Sequence, residues 1–203
     1  MPSYKLTYFD LPGRAEPIRL AFQIGGIPFT DERIKREDFP AKKDSYIFGC
    51  LPILEVDKTV LYSTAGILRY VGLLSGLYPQ DPLEGAKVDT FVGVVDDIVI
   101  GITVSFKEPD EARGAAIRKE LGDNRLPKMF AAIDKAAGSN GFCTGNKLSV
   151  ADLFLYTVCQ WIRSKKLDGI PADIPDRCAN VKRICDTVAG NEKVAAWNKA
   201  HSQ

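Results

Sequence analysis

Residues 4–20 read Tyr-Lys-Leu-Thr-Tyr-Phe-Asp-Leu-Pro-Gly-Arg-Ala-Glu-Pro-Ile-Arg-Leu, and two rhythms meet there. Tyr4–Phe9 alternates, with Tyr4, Leu6 and Tyr8 on one face, and its Tyr, Leu and Thr content suits a strand. Leu11-Pro12-Gly13 is a turn signal. Beyond it Ala15, Ile18, Phe22 and Gly25 recur at helical spacing, which predicts a helix over residues 14–25. Pro17 fits only in the first turn of that helix. A strand feeding a helix through a tight turn opens an α/β unit.

Outward from this stretch, residues 29–34 continue as a second strand. Ile53–Val56 and Thr59–Tyr62 flank Asp57-Lys58 in a hairpin pattern, although Lys58 is not the glycine such turns favour. Thr64 is expected to cap a helix striped by Ile67, Tyr70, Val71, Leu74 and Leu77 and ending near Gly76. The order is βαβ, then ββα. Residues 78–83, with two prolines, read as a linker. Only helical rhythm follows, over residues 84–107, 110–121, 126–137, 150–163, 177–189 and 192–199. Ser149 and Asp152 have capping-box spacing at the head of the fourth of these. The expected organisation is a small α/β domain over residues 1–77 and an all-α domain over residues 83–203.

Composition narrows the functional classes. The 203 residues carry 27 Lys plus Arg against 26 Asp plus Glu, a balance that gives no reason to expect nucleic acid or an anionic membrane as partner. The longest apolar runs, residues 98–106 and 153–162, are too short to span a bilayer. The first residues, Met-Pro-Ser-Tyr-Lys, lack the apolar core of a secretion signal. Five scattered cysteines with no CxxC pair fit neither a disulfide framework nor a zinc site, so reduced thiols in the cytoplasm are expected. The single histidine, His201, leaves no room for a histidine-based triad or multi-histidine metal site.

Three places in the first half carry candidate chemistry. Tyr8 stands at a strand end facing a helix start, either as a core tyrosine or as a hydrogen-bond donor to an anion. Leu51-Pro52 precedes a strand, where proline is ordinarily a trans start residue. A cis bond would present the Leu51 backbone to a peptide-like ligand. Ser63-Thr64 opens a helix, so it serves as an N-cap, and the free amides of that first turn also suit a carboxylate.

Taken together, residues 4–20 resemble the opening of sigma-class glutathione transferases. Leu-Pro-Ile-Leu-Glu-Val-Asp at 51–57 resembles their cis-proline segment, and Ile-Leu-Arg-Tyr at 67–70 their third helix. Residues 145–152, Gly-Asn-Lys-Leu-Ser-Val-Ala-Asp, are similar to the capping box of their sixth helix. The resemblance implies a thioredoxin-like α/β domain followed by an all-helical domain, in a cytoplasmic homodimer that uses glutathione for detoxification.

Residue by residue, Tyr8 matches the tyrosine that hydrogen-bonds the glutathione sulfur, and Arg14 the arginine shaping the site around it. Phe39 and Lys43 match the positions at the glycine carboxylate. Gly49 and Cys50 lead into Leu51, whose backbone pairs with the cysteinyl part, and Pro52 is the cis-proline. Ser63 and Thr64 match the γ-glutamyl contacts, and Asp97 an acid that reaches the ligand in the neighbouring subunit. Three departures stand out. Phe39 replaces a Trp and loses its N–H, Ser63 replaces a longer Gln, and Cys50 is not the usual residue. Cys50 is either a small packed thiol or one able to form a mixed disulfide with glutathione.

The implied function is conjugation of the glutathione thiolate to small hydrophobic electrophiles, with an apolar second pocket between the end of the first strand and residues 98–106. Glutathione is then a co-substrate, with no permanent cofactor and no metal. Two alternatives stay open: a glutathione-dependent prostaglandin D-type isomerase and a non-catalytic glutathione- or ligand-binding protein. The isomerases can carry an interfacial acid cluster, but Gly93 stands where a third acid would accompany Asp96 and Asp97.

Overall fold

The computed structural model describes residues 2–201. Its sheet has the order β2-β1-β3-β4, made of β1 (Tyr4–Phe9), β2 (Thr30–Ile34), β3 (Ile53–Val56) and β4 (Thr59–Tyr62). β1 runs parallel to β2 and antiparallel to β3. The β1–β3 ladder stops at the Thr7–Ile53 pair, so Tyr8 lies one residue beyond it. The Asp57-Lys58 hairpin closes without glycine because Asp57 takes φ 51°, a conformation Asp tolerates better than most residues. Its carboxylate accepts the Ser3 amide at 2.9 Å and the Ser3 hydroxyl at 3.1 Å.

Around the sheet lie α1 (Glu16–Gly25), the single-turn α2 (Phe39–Lys42) and α3 (Thr64–Ser75). Ile18, Leu20 and Phe22 of α1 and Ile67, Leu68 and Val71 of α3 are fully buried in one core with Leu6 and Leu54. Each such side chain contributes about 1.5–3 kcal/mol by leaving water. The rest of the chain is helical: α4 (Pro82–Lys107), α5 (Glu111–Glu120), α6 (Leu126–Ala136), α7 (Val150–Arg163), α8 (Ala179–Ala189) and α9 (Glu192–Ala200). A wider π-type turn, Leu121–Arg125, carries α5 into α6. No helix among the described residues is long and apolar enough to cross a membrane.

Three boundaries correct the sequence reading. Ser63, not Thr64, takes the cap position of α3, and it makes no side-chain cap hydrogen bond. Thr64 is the first helical residue. α4 starts at Pro82 rather than near residue 84, because Asp81 caps it by accepting the amides of Leu83 and Glu84 at 3.0 and 2.9 Å. Proline in the first turn then forfeits nothing. The third is α2, which the sequence reading left without any helix; one turn with a proline in it has no periodicity to detect.

The Ser149/Asp152 capping box is present. The buried Asp152 carboxylate accepts the Ser149 amide and hydroxyl, each at 2.7 Å, and the Cys143 amide at 2.5 Å. Burial pushes this carboxyl above its ordinary range even though those donors act the other way. Asp152→Asn keeps the shape but turns an N–H₂ toward other donors. Thermal unfolding is expected to show a loss of about 1–2 kcal/mol, and an unchanged midpoint would contradict the assigned network.

Candidate functional site

Tyr8 is 7% exposed, its ring edge-on to Phe9 at 5.3 Å between centroids. Its hydroxyl oxygen accepts the Arg14 amide N–H at 3.2 Å. With an N–H as donor, the phenol oxygen is the acceptor and its own proton is left to bond outward. The turn between Tyr8 and Arg14 makes this contact possible. Gly13 has φ 49°, and a Cβ there would lie 2.8 Å from the Tyr8 hydroxyl oxygen and 2.7 Å from Leu11 Cδ1. Only glycine allows so close an approach.

Arg19 holds that turn from behind. It is fully buried, and one of its amino groups donates to the carbonyls of Leu11 and Pro12 at 3.0 and 3.1 Å. Its charge is matched by Asp31 and Glu16, both at 3.0 Å, as a buried cation requires. Glu16 also accepts the Trp197 indole N–H at 2.7 Å, which ties α9 to the same cluster. The Arg19 guanidinium lies 6.0 Å from the Tyr8 ring centre. Arg14 is in turn fixed by an ion pair with Asp96 on α4.

Beside this cluster opens a cleft of about 590 Å³. One wall brings together Arg14, Cys50, Leu51, Pro52, Ser63 and Thr64 from the candidate set. Leu51-Pro52 is cis, not the trans bond that the residues by themselves suggest. Leu51 lies ahead of the first paired residue of β3, so its backbone is outside the ladder. Ser63 adopts φ 70° and ψ 130°, a region that costs an L-residue roughly 1–3 kcal/mol and that recurs at binding sites. Thr64 is 4% exposed, yet its hydroxyl has no hydrogen-bond partner. A buried unpaired hydroxyl at an uncapped helix N-terminus suits an incoming carboxylate.

The remaining candidates, Tyr8, Phe39, Lys43, Gly49 and Asp97, are not among the residues lining this cleft. Phe39 packs edge-on to Phe9 at 5.2 Å and stacks with Tyr46 at 6.3 Å. Lys43 is exposed, and its chain passes so close to Gly49 that a Cβ there would meet it at 3.2 Å. Asp97 is exposed on α4, next to the Asp96 that is drawn to Arg14. On the wall itself Cys50 is an exposed thiol, whereas burial pushes the Cys143 thiol well above its ordinary range. Among the described residues no three His, Cys, Asp or Glu side chains converge as a metal site.

Gly13, Arg19, Asp96 and Lys107 were missed as site residues. Gly13 had a local signal, the Pro-Gly turn, but nothing in the sequence says that Tyr8 passes over it. The Arg14–Asp96 pair spans 82 positions and has no local signature. The second wall of the cleft, Ile100, Thr103, Val104 and Lys107, falls within or beside the expected run 98–106. Ile98, Val99 and Ile102 from that run turn into the core instead.

A family model described as the glutathione S-transferase C-terminal domain matches residues 96–201. Chicken (Gallus gallus) hematopoietic prostaglandin D synthase is 34% identical over 197 residues, spanning 97% of this chain and 96% of that protein. Glutathione S-transferase 1 of Ascaris suum is 37% identical over 163 residues, 76% of this chain and 78% of that one. The crystal structure of monomeric Na-GST-3, a glutathione S-transferase of the hookworm Necator americanus, superposes with a TM-score of 0.82 at 28% identity, covering 99% of this chain and 98% of that one. With a thioredoxin-like sheet domain, a helical second half, and relatives of which the chicken protein and the hookworm structure span nearly its whole length, the chain belongs to the glutathione S-transferase family.

Proposed function

We propose that this protein is a glutathione transferase of sigma-class character, acting in the cytoplasm, in which Tyr8 holds glutathione as a thiolate for attack on small hydrophobic electrophiles. Tyr8 carries the reading: its buried hydroxyl accepts the Arg14 amide, which leaves the phenol proton for a ligand sulfur. Glutathione brings its own thiol, so the protein supplies no nucleophile. A thiol with a pKa near 8.5 is only ~3% ionised at pH 7. A neutral O–H donor favours the charged sulfur, and a downward shift of about two units raises the thiolate to ~75%, a differential of ~2.7 kcal/mol. Tyrosine suits this task because it keeps its proton near neutrality. The sulfur then attacks an electrophilic carbon held in the adjoining part of the cleft.

The γ-glutamyl carboxylate is assigned to Thr64 and the first-turn amides of α3, the cysteinyl part to the Leu51 backbone beside Pro52, and the glycine carboxylate to the Lys43 and Phe39 side, with Gly49 and Cys50 between. Turnover of 1-chloro-2,4-dinitrobenzene with glutathione, followed by absorbance, tests the reading. Its absence, with glutathione bound, would leave a binding protein. Prostaglandin D-type isomerisation is the second reading, favoured by the likeness to the chicken enzyme. It uses the same thiolate without net consumption, so a product assay separates the two.

Ser63→Gln places a longer amide at the γ-glutamyl end. Glutathione affinity is expected to rise by about 0.5–1.5 kcal/mol, roughly 2- to 10-fold. An unchanged or weaker dissociation constant would mean that the pocket is built around Ser63.

We assign Asp97 to a partner subunit's glutathione in a homodimer. Asp97 is exposed on α4 beside the Asp96 that is paired with Arg14, so its carboxylate is open to a ligand of a second copy. Ile47, Phe48 and Leu83 are exposed apolar side chains that a second copy would cover. Asp97→Ala is expected to weaken glutathione binding by about 1–3 kcal/mol while sedimentation still shows a dimer. Sedimentation of the wild type as a monomer, as its hookworm relative is described, would overturn this assignment.

A further inference from the structure

The cleft has two chemically different walls. Glutathione is assigned to the wall built by Leu51, Ser63 and Thr64. The other wall is one face of α4, where Ile100, Thr103, Val104 and Lys107 follow one another at helical spacing. Ile100 is 47% exposed and Val104 57% exposed, so this face offers open aliphatic surface. Such surface in a concave site suits the apolar body of a ligand.

The aliphatic face ends in a charge. Lys107 closes α4, and among the described residues it makes no ion pair. No Asp or Glu lines the cleft, and its other cation, Arg14, is already held by Asp96. The carbonyl end of a helix attracts a lysine for its own sake. That attraction accounts for a cation in the last turn of α4, but not for its place at the end of an exposed aliphatic stripe in a cleft without acids. Both glutathione carboxylates are assigned elsewhere, to α3 and to the Lys43 side.

We propose that the electrophile taken by this cleft is an amphipathic acid, its apolar body along Ile100 and Val104 and its carboxylate at the Lys107 ammonium. This deepens the transferase reading and rests on it for the reaction, though not for the binding. With an unsaturated ketone the step is a conjugate addition. The glutathione sulfur bonds to the β-carbon, the C=C π pair moves to the α-carbon, and that carbon takes a proton from solvent. Nothing leaves and nothing is oxidised.

Ethacrynic acid and its methyl ester, which share one reactive enone, provide the test. The enzyme-catalysed kcat/KM ratio of acid to ester is expected to fall roughly three- to fivefold in Lys107→Met, the scale of an exposed ion pair. Lys107→Arg is expected to keep the ratio, since charge and reach are retained. A second arm measures decanoate and decanol binding by calorimetry in the presence of glutathione, with the same charge-dependent change expected. Equal changes for acid and ester, or for decanoate and decanol, would overturn the proposal while leaving the transferase reading intact. If neither enone is turned over but decanoate still depends on Lys107, the transferase reading falls and the anion site stands.

Discussion

With glutathione saturating, Tyr8→Phe is expected to move the acid limb of the kcat/KM–pH profile for the electrophile upward by about one to two units. The rate of a thiolate reaction rises with pH until the bound thiol is fully ionised, then levels off. Removing the donor raises that thiol's pKa, so the plateau is reached later. Near neutrality the loss is expected to be roughly 3- to 25-fold, and at high pH the two profiles should converge. The fold should survive, because Phe keeps the ring that packs against Phe9 and below Arg19. The one new cost is the Arg14 amide's lost acceptor, about 1 kcal/mol. A parallel drop at every pH would mean instead that Tyr8 acts through packing.

Gly13→Ala is expected to cost activity near neutrality on the scale of Tyr8→Phe, up to roughly 25-fold, because it moves the same donor off the sulfur. Two effects combine. A φ of 49° is unfavourable for alanine, by about 1–2 kcal/mol. The added methyl would also sit 2.8 Å from both the Tyr8 hydroxyl oxygen and Cε1, so either the turn or the ring must move. Arg19 resists movement of the turn, because it grips the Leu11 and Pro12 carbonyls, and the ring is displaced from the sulfur position. Steady-state kinetics with circular dichroism checks this: lost turnover with a retained fold is expected, and wild-type turnover would show that Tyr8 is not held by this turn. Gly93→Ala gives a control, since a Cβ there meets nothing within 4 Å.

Much of this was legible in local pattern. The alternation of Tyr4, Leu6 and Tyr8, the hairpin pair and the Ser149/Asp152 box all depend on neighbours within a few residues, and all are present. Short-range propensity also found α7 to the residue. What was not legible depends on three-dimensional approach. Ser63's positive φ has no mark in a Ser-Thr pair, so Thr64 was taken for the cap. α4 gave no contrast between faces over residues 98–106, because nearly every residue there is apolar. Only packing against α7 decides that Ile98 and Ile102 go inward while Ile100 and Val104 line the cleft. The Arg19 cluster joins α1, β2 and α9, three segments that no local window contains.

The central claim is that this protein binds glutathione and ionises it through Tyr8. The ultraviolet absorbance of the thiolate, titrated against pH with glutathione bound to the wild-type protein, tests it most directly. Half-ionisation about two units below that of the free thiol is the result expected. A bound thiol that titrates like free glutathione, or no bound glutathione at all, would contradict the claim.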